Sequence, residues 1–520
     1  MRLDQDLEQR INPEKNRQFA PEEFGKRLIE LRKFAASHWP QKNGLRISVV
    51  GTNGKGSVSH YLASLLQKSG IQTGVYSSPH LNHFSERIQI AGQSNVGDLE
   101  DAYLELRRAF RERNESLWKD LSYFELLTLL AIELFQHKGL PVQIYEAGLG
   151  GRLDATGLCN PDVVIVTRIA LDHMKLLGNT RGAIFQEKLG IMTTNTRHVY
   201  LMEARYESLA KTMVEQLWQN TGTTDGSNAP DGSSAPADIA PIHVHSIQVH
   251  SFESGPRSDA TTDPNKDEKG LEISPPRDTE KWQKRAHSSY LAENFSFAKW
   301  ILSDLIQQSK NGEDSIALLE TGNTRHIEMS DVSAPPGRML DHNAHGILWM
   351  YDSGHNPASL FTVLRSFPSP PILVLGILPD RSYLHFLRVA RWLGVERVYC
   401  IERVGLASVP EQAMDAISYI SPGNQKSEYS KEQLTTQAEP RGKPEAIGSD
   451  PLLFRLDSAL PPEELRRILI DGVRSRESLK KSQMDPGPGG PGIQPAILFT
   501  GSYRIYDLFL EILGGDIVHA

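Results

Sequence analysis

The stretch GTNGKGS, Gly51–Ser57, carries the residue types that hold a phosphate. Glycines let backbone N–H groups approach anionic oxygens, and a helix that follows adds the positive end of its dipole. Lys55 supplies a compact positive charge for the outer phosphates of a nucleotide, and the Ser57 hydroxyl can reach a magnesium shell. The spacing departs from the common G-x-x-x-x-G-K-[ST] loop, because Gly56 separates lysine from serine. A tight glycine turn is the bland alternative, and the lysine within a strand-then-helix frame argues against it. Further along, two glutamates lie beside apolar runs, Glu125 in LSYFELLTLLAIELF and Glu146 in VQIYEAGLGGRLDATG. Carboxylates are rarely buried without a partner, so each faces a metal, a substrate or a salt bridge. Glu146 ends one strand-like run and His173 lies just past another, which puts both at the carboxyl edge of a sheet, where α/β proteins bind ligands. A carboxylate, an imidazole and a hydroxyl such as that of Ser78 are suitable magnesium ligands, although imidazole is an unusual choice for so hard a cation. Singly, His173 reads as a turn histidine and Lys188 as a solvated helix lysine.

The elements that must position these residues alternate along the chain. Residues 21–37 pattern as an amphipathic helix, Ile47–Val50 as a strand, and Ser57–Ser69 as a helix. In that last segment Val58, Leu62, Leu65 and Leu66 share one face, and Gly70 is the stop signal. Ile71–Tyr76, Val142–Tyr145 and Val163–Val166 follow as strands between helical stretches. Such alternation implies a mainly parallel sheet covered on both faces. A helix near Tyr290–Gln308 leads through APPGR to a second alternation, with strands at Ile347–Tyr351, Ile372–Leu375, Arg397–Ile401 and Ile497–Thr500. The expected class is α/β in two domains, 1–333 and 334–520. Between about 220 and 280 the composition turns to Pro, Gly, Ser and Asp, which marks an insertion unable to bury a core of its own. Within it IHVHSIQVHSF alternates and is expected to form an edge hairpin, its histidines on a surface strand rather than on a metal. Two polar stretches, about 421–449 and 476–495, are expected to be loops.

Composition narrows the function classes. A net charge of −8 and a pI near 6.1 leave no electrostatic footprint for nucleic acid. Two cysteines, Cys159 and Cys400, are too few for a disulfide framework or a thiolate zinc site. MRLDQDLEQRINPEK has no apolar segment after its first basic residue, as a secretory signal requires. Apolar stretches such as Leu126–Phe135 are too short to span a bilayer. These features predict a cytoplasmic protein with neither nucleic-acid nor membrane partners; a monomer acting on small molecules is a separate expectation.

GTNGKGS resembles the ATP loop of the Mur ligase superfamily. YSSPHLNHFSERIQI, EAGLGGRLDATG, LDHMKLLGNT, QEKLGI and DSGHNP are similar to the blocks of its folylpolyglutamate synthase/dihydrofolate synthase branch, in that family's order. The resemblance implies an N-terminal P-loop-type ATPase domain and a smaller, Rossmann-like C-terminal domain. It implies ATP-dependent addition of L-glutamate to dihydropteroate or to folates already carrying glutamate, through an acyl phosphate. By residue, it implies ATP contacts from Thr52, Asn53, Gly54, Lys55, Gly56, Ser57, Asn294, Arg338 and Asp352. Mg²⁺ would be held by Ser57, Ser78, Glu146 and His173. The pterin pocket would be lined by Arg87, Ser122, Tyr123, Phe124, Glu125, Leu153, Asp154 and Ala155. Catalytic roles fall to Lys55, Lys188, His173, Asp352 and His355, with Lys188 carbamylated in some members of the superfamily. CO₂ adds only to a neutral amine, so that modification requires a lowered pKa. For Glu125 a helix-end salt bridge stands as the alternative. The chain departs from the family pattern at Tyr290-Leu291 in place of His-Gln, at Leu340 in place of glutamate, and at DSGHN in place of DGAHN. A Mur-type peptidoglycan ligase ranks lower, because GLGGRLDAT and FSERI resemble the folate branch. A nucleotide-binding protein without ligase activity is a third reading, which the Tyr290-Leu291 departure favours slightly.

Overall fold

The computed structural model describes residues 2–11, 21–40, 43–221, 242–246, 290–311, 314–319, 326–379, 381–403, 406–408, 417–420, 452–457, 460–483 and 494–513. The chain divides into two compact units, Met1–Leu271 with Leu291–Pro335, and Glu272–Tyr290 with Pro336–Ala520.

The first unit is built on strands β1 (Leu45–Val50), β2 (Thr73–Tyr76), β3 (Ile88–Ile90), β4 (Val142–Glu146), β5 (Val163–Val166), β6 (His198–Leu201) and β7 (His243–Ser246). Their spatial order is β3-β2-β4-β1-β5-β6-β7. Every neighbouring pair is parallel except β2 with β3. Strands β1, β4, β5 and β6 are buried at every residue; β5, VVIV, accordingly reads as an unbroken apolar run, while β1, β4 and β6 also bury Arg46, Ser48, Gln143, Glu146 and His198. One core joins Leu28, Leu31 and Phe34 of the Pro21–His38 helix to the apolar side of the Tyr123–His137 helix and to Tyr76 and Tyr145. Another joins Val164, Val166, Val199 and Leu201 to Ile184, Phe185 and Leu189 of the Arg181–Leu189 helix.

Of the stretch expected to form an edge hairpin, only residues 242–246 are described. His243–Ser246 is a single edge strand, parallel to β6, with His243 opposite His198 and Ser246 opposite Leu201. Its side chains explain the docking. His198 Nδ1 and His245 Nε2 are 3.2 Å apart, and the His245 ring stacks on Tyr200 at 4.6 Å. The Tyr200 hydroxyl donates to Asp304 Oδ2 at 2.7 Å, and His245 Nδ1 lies 3.5 Å from the same oxygen. Residues 247–252 of that stretch, and the rest of the expected insertion apart from 220–221 and 242–246, lie outside the described residues.

The second unit has strands β8 (Leu340–Ala344), β9 (Ile347–Tyr351), β10 (Ile372–Leu375), β11 (Arg397–Glu402), β12 (Ile417–Ile420), β13 (Leu452–Asp457) and β14 (Ala496–Thr500). Their order is β12-β13-β11-β10-β14-β9-β8, parallel throughout except β8 with β9. The loop expected at 476–495 is corrected in its first part, because the Pro462–Gln483 helix runs through it. Leu465, Leu469 and Val473 are buried at helical spacing and Arg476 Nε bonds Glu396 at 2.6 Å, so packing carries the helix into polar sequence. Residues 484–493 and the loop expected at 421–449 lie outside the described residues. Both cysteines are free and buried, and burial pushes the Cys400 thiol up to about 12. No described helix is long and apolar enough to cross a membrane.

Candidate active site

The phosphate-type loop leaves the end of β1 and enters a helix at Lys55, two residues before the expected start. Its first half is pinned to the end of β5. Thr52 and Asn53 donate their backbone N–H groups to the Arg168 carbonyl at 2.8 and 3.1 Å, and Thr52 Oγ1 donates to the Ala170 carbonyl at 3.1 Å. These two amides are therefore engaged within the protein. Gly51 permits the close approach: at φ +145°, a Cβ there would stand 1.9 Å from Thr167 Oγ1. Gly54 is the N-cap, at φ 92°, and no side chain caps the helix. The first-turn N–H groups, from Lys55 onward, thus form the anion-binding end of a fourteen-residue helix. Lys55 Nζ bonds the Gly51 carbonyl at 3.1 Å, folded back over the loop. Asn294 reaches the same loop, since a Cβ on Gly54 would lie 2.9 Å from Asn294 Oδ1.

Glu146, at the end of β4, is brought over the helix start. A Cβ on Gly56 would stand 3.4 Å from Glu146 Oε2, and the same oxygen accepts the Ser78 N–H at 3.3 Å. Ser57 is 1% exposed and its Oγ has no hydrogen-bond partner among the described residues. A hydroxyl left so costs about 1–3 kcal/mol unless something binds it. His173, at φ 48° and one-third exposed, is the N-cap of the short Met174–Leu177 helix. Its N–H donates to Asp172 Oδ1 at 2.8 Å. No three His, Cys, Asp or Glu side chains converge as a metal-holding group among the described residues. One carboxylate beside a hydroxyl with no partner among the described residues and an uncapped helix start is a poor zinc site and a fitting magnesium one. Mg²⁺ takes one or two protein oxygens and fills its remaining positions with water and phosphate.

Lys188 is no solvated helix lysine. It is 4% exposed, and burial, with Lys55 adding to it, holds its pKa well below the ordinary value against the opposing pull of Asp154 and Glu187. Gly151 packs on the Lys188 carbonyl so closely that a Cβ would stand 1.9 Å away. Asp154 organises the neighbouring loop. Its Oδ1 accepts from the Thr156 N–H and hydroxyl at 2.9 and 2.6 Å, and its Oδ2 from the Leu149 N–H at 2.9 Å. Burial raises its pKa against those bonds. Ala155 is buried beside it, and Leu153 faces Gly25.

The block Ser122–Glu125 starts the Tyr123–His137 helix, with Ser122 as N-cap and Glu125 closing a capping box. Phe124 lies over Gly148, where a Cβ would come within 2.8 Å of its ring. Glu125 takes the salt-bridge alternative: Arg27 Nε lies 2.8 and 2.9 Å from its two oxygens, and the Ser122 N–H donates to Oε2 at 2.8 Å. Arg87 is 1% exposed; its Nε donates to His80 Nδ1 at 2.8 Å and its guanidinium lies 5.4 Å from the Tyr123 ring centre. Arg27, His80 and Thr167 were not singled out by the sequence reading. The S-x-x-E spacing of Ser122 and Glu125 is a legible capping signal, but nothing in it names the arginine.

In the second unit Asp352 follows β9 and is fully buried. Its Oδ1 accepts from Arg338 Nη1 at 3.2 Å and from the Gly354 N–H at 2.8 Å, and its Oδ2 from the Met339 N–H at 3.2 Å. Tyr290, where the family pattern has histidine, also donates its hydroxyl to Oδ2. His355 Nδ1 lies 3.3 Å from the Ser353 carbonyl, and Asn356 caps the Pro357–Leu364 helix.

No family model matches the chain. It is 44% identical over 149 residues to a dihydrofolate synthase/folylpolyglutamate synthase of Haemophilus influenzae, a match that spans 29% of this chain and 33% of the relative. Its matched part is thus about a third of that relative's length. Among solved structures it is similar to Escherichia coli FolC in complex with DHPP and ADP, with a TM-score of 0.56 and 21% identity over 94% of this chain and 93% of that one. It is similar also to the bifunctional folylpolyglutamate synthase/dihydrofolate synthase of Yersinia pestis complexed with AMPPNP and a Mn ion, with a TM-score of 0.55 and 20% identity over 94% and 92%. The chain is therefore similar, in sequence over about a third of its length and in fold over nearly all of it, to the folylpolyglutamate synthase/dihydrofolate synthase enzymes that its motifs resemble.

Proposed function

We propose that this protein is an ATP-dependent ligase that joins L-glutamate to a pterin-bearing carboxylic acid, dihydropteroate or a folate already carrying glutamate. One observation carries the reading: the uncapped helix start at Lys55 lies under the Glu146 carboxylate and beside the unpartnered Ser57 hydroxyl. Anion-binding amides, one carboxylate and one buried hydroxyl suit a magnesium nucleotide. The relatives' printed names, and the DHPP, ADP and AMPPNP in the similar structures, support the choice of substrates.

A carboxylate is a poor electrophile, so the acceptor oxygen first attacks the γ-phosphorus. The bond to ADP breaks and an acyl phosphate forms. The glutamate amine then attacks the acyl carbon, phosphate leaves with the C–O bond electrons, and the nitrogen loses a proton. Bound magnesium would neutralise charge on the transferred group, held by Glu146 and Ser57 with Ser78 and His173. Lys55 supplies positive charge to the same oxygens. Buried Lys188, with its lowered pKa, is suited to take up CO₂ as a carbamate, which would turn a cation into a carboxylate-like group. Asp352 orients Arg338 through their ion pair, and that arginine is the second unit's candidate for phosphate. The Ser353 carbonyl, which can only accept, favours a proton on His355 Nδ1. The pterin pocket is assigned to Phe124, Asp154 and Ala155 with their neighbours.

The test follows ADP release and labelled glutamate incorporation by the purified protein, with each acceptor in turn. Mg-ATP-dependent incorporation on either acceptor is the expected result. ADP release unaffected by glutamate and by both acceptors would overturn the reading.

A further inference from the structure

The Tyr123–His137 helix begins with the side chains proposed to meet the pterin, and part of what fixes that beginning comes from another helix. Arg27 sits on the Pro21–His38 helix, and its Nε–H points between the Glu125 oxygens at 2.8 and 2.9 Å. The side chains of the pair are 16% and 5% exposed, so the contact is largely shielded from water. Glu125 is tied a second time, by the Ser122 N–H. The Arg27 guanidinium also lies 4.5 Å from the centre of the Phe24 ring. Beside Phe24, Gly25 faces Leu153, whose Cδ2 would stand 3.7 Å from a Cβ at Gly25. On the other side, Phe124 rests on Gly148. One ion pair thus couples Phe24 and Gly25 on one helix to Ser122–Phe124 on another.

Stability alone is a weak reason for such a pair, because apolar replacements of buried ion pairs are often neutral or better. What the pair offers instead is direction. A carboxylate fixed both by a guanidinium and by a backbone N–H has one allowed placement. Resting on the ligase reading above, we infer that Arg27 is a positioning residue for the pterin-bearing acceptor. Acting through Glu125, it sets the separation between the two helix starts, and so the affinity for the acceptor. The phosphate loop, on the β1 side of the same unit, is not tied to this pair by any of these bonds.

The test compares Arg27→Met, Arg27→Lys, Glu125→Gln and the double variant Arg27→Met/Glu125→Gln with the wild type. Direct binding of dihydropteroate and of a non-hydrolysable Mg-ATP analogue is measured for each, together with KM, kcat and thermal unfolding. Arg27→Met is expected to raise the acceptor Kd and KM about tenfold or more, because a misplacement near 1 Å is enough for that. Nucleotide Kd stays at the wild-type value and kcat changes less than KM. Arg27→Lys is expected to be intermediate, since a flexible ammonium keeps the charge but not the fixed direction of the Nε–H. The double variant should be no worse than the poorer single one, because both act through one contact. Unchanged acceptor binding by a folded Arg27→Met protein overturns the inference. So does a parallel loss of nucleotide binding, or single losses that multiply in the double variant. If Arg27→Met does not fold, Arg27→Lys and the double variant, which leaves no unpaired buried charge, decide the matter by the same criteria. A wild-type protein that binds neither dihydropteroate nor folate overturns the ligase reading and this inference with it. Wild-type binding that Arg27→Met matches overturns this inference alone.

Discussion

Lys188 and Ser57 show how burial turns ordinary side chains into candidates for chemistry. A lysine whose folded pKa is lowered binds its proton more tightly in the unfolded chain. From the lowered value up to the ordinary 10.5, the unfolded state therefore holds more protons, and stability climbs with pH across that window. Lys188→Met removes this dependence. In CO₂-free buffer the variant is expected to be more stable than wild type near neutral pH, with the gain shrinking as pH approaches 10.5. Urea unfolding at several pH values measures it; parallel curves for the two proteins would mean that Lys188 keeps its proton. Ser57→Ala removes a buried hydroxyl that has no partner among the described residues. It is expected to leave stability unchanged or raise it by about 1 kcal/mol, while Mg-ATP turnover falls on the order of 10- to 100-fold. A drop in stability of a few kcal/mol with turnover intact would give Ser57 a packing role.

Several strands were legible because burial on both faces leaves a short unbroken apolar run. Val163–Val166, Ile347–Tyr351 and Ile372–Leu375 form within the bounds their sequence implies. The strand–loop–helix frame of Gly51–Ser57 and the nearness of Glu146 to it were legible for a related reason: both leave the ends of neighbouring buried strands, β1 and β4. What stayed hidden depends on partners distant in sequence. Nothing local to Glu125 reveals Arg27, 98 residues away, and nothing local to His245 reveals His198 or Asp304. Hence the alternation of the stretch around His245 pointed to an edge strand without naming the side chains that hold it. That strand gives its own test. His245→Ala removes the contacts to His198, Tyr200 and Asp304, and amide exchange at Val244–Ser246 is expected to speed by roughly tenfold or more, as a local opening made about 1.4 kcal/mol easier would give. Amides of β1 and β5 keep their protection. Equal exchange in β7 of the two proteins would show that the backbone ladder alone holds the strand.

Across the whole molecule, separate cores in two units predict more than one unfolding step. Scanning calorimetry is expected to resolve two transitions. A non-hydrolysable ATP analogue with Mg²⁺, at about 100 times its Kd, should stabilise the transition of the unit carrying Gly51–Ser57 by about 2.7 kcal/mol. Lys55→Ala should remove most of that shift without moving the midpoint of the unliganded protein. A single transition, or a nucleotide shift that survives Lys55→Ala, would contradict this picture.

The two cysteines have a practical consequence. Both thiols are buried, and Cys400 ionises only near pH 12, so maleimide reagents at neutral pH meet almost no thiolate on the native surface. The chain is in effect a blank for dye attachment, with no background cysteines to mutate away. Glu105 in the first unit and Arg388 in the second are both exposed. Glu105→Cys and Arg388→Cys in one protein would give donor and acceptor dyes their only reactive anchors. Energy transfer between the dyes would then follow, in single molecules and during turnover, whether nucleotide, acceptor or glutamate changes the distance between the units.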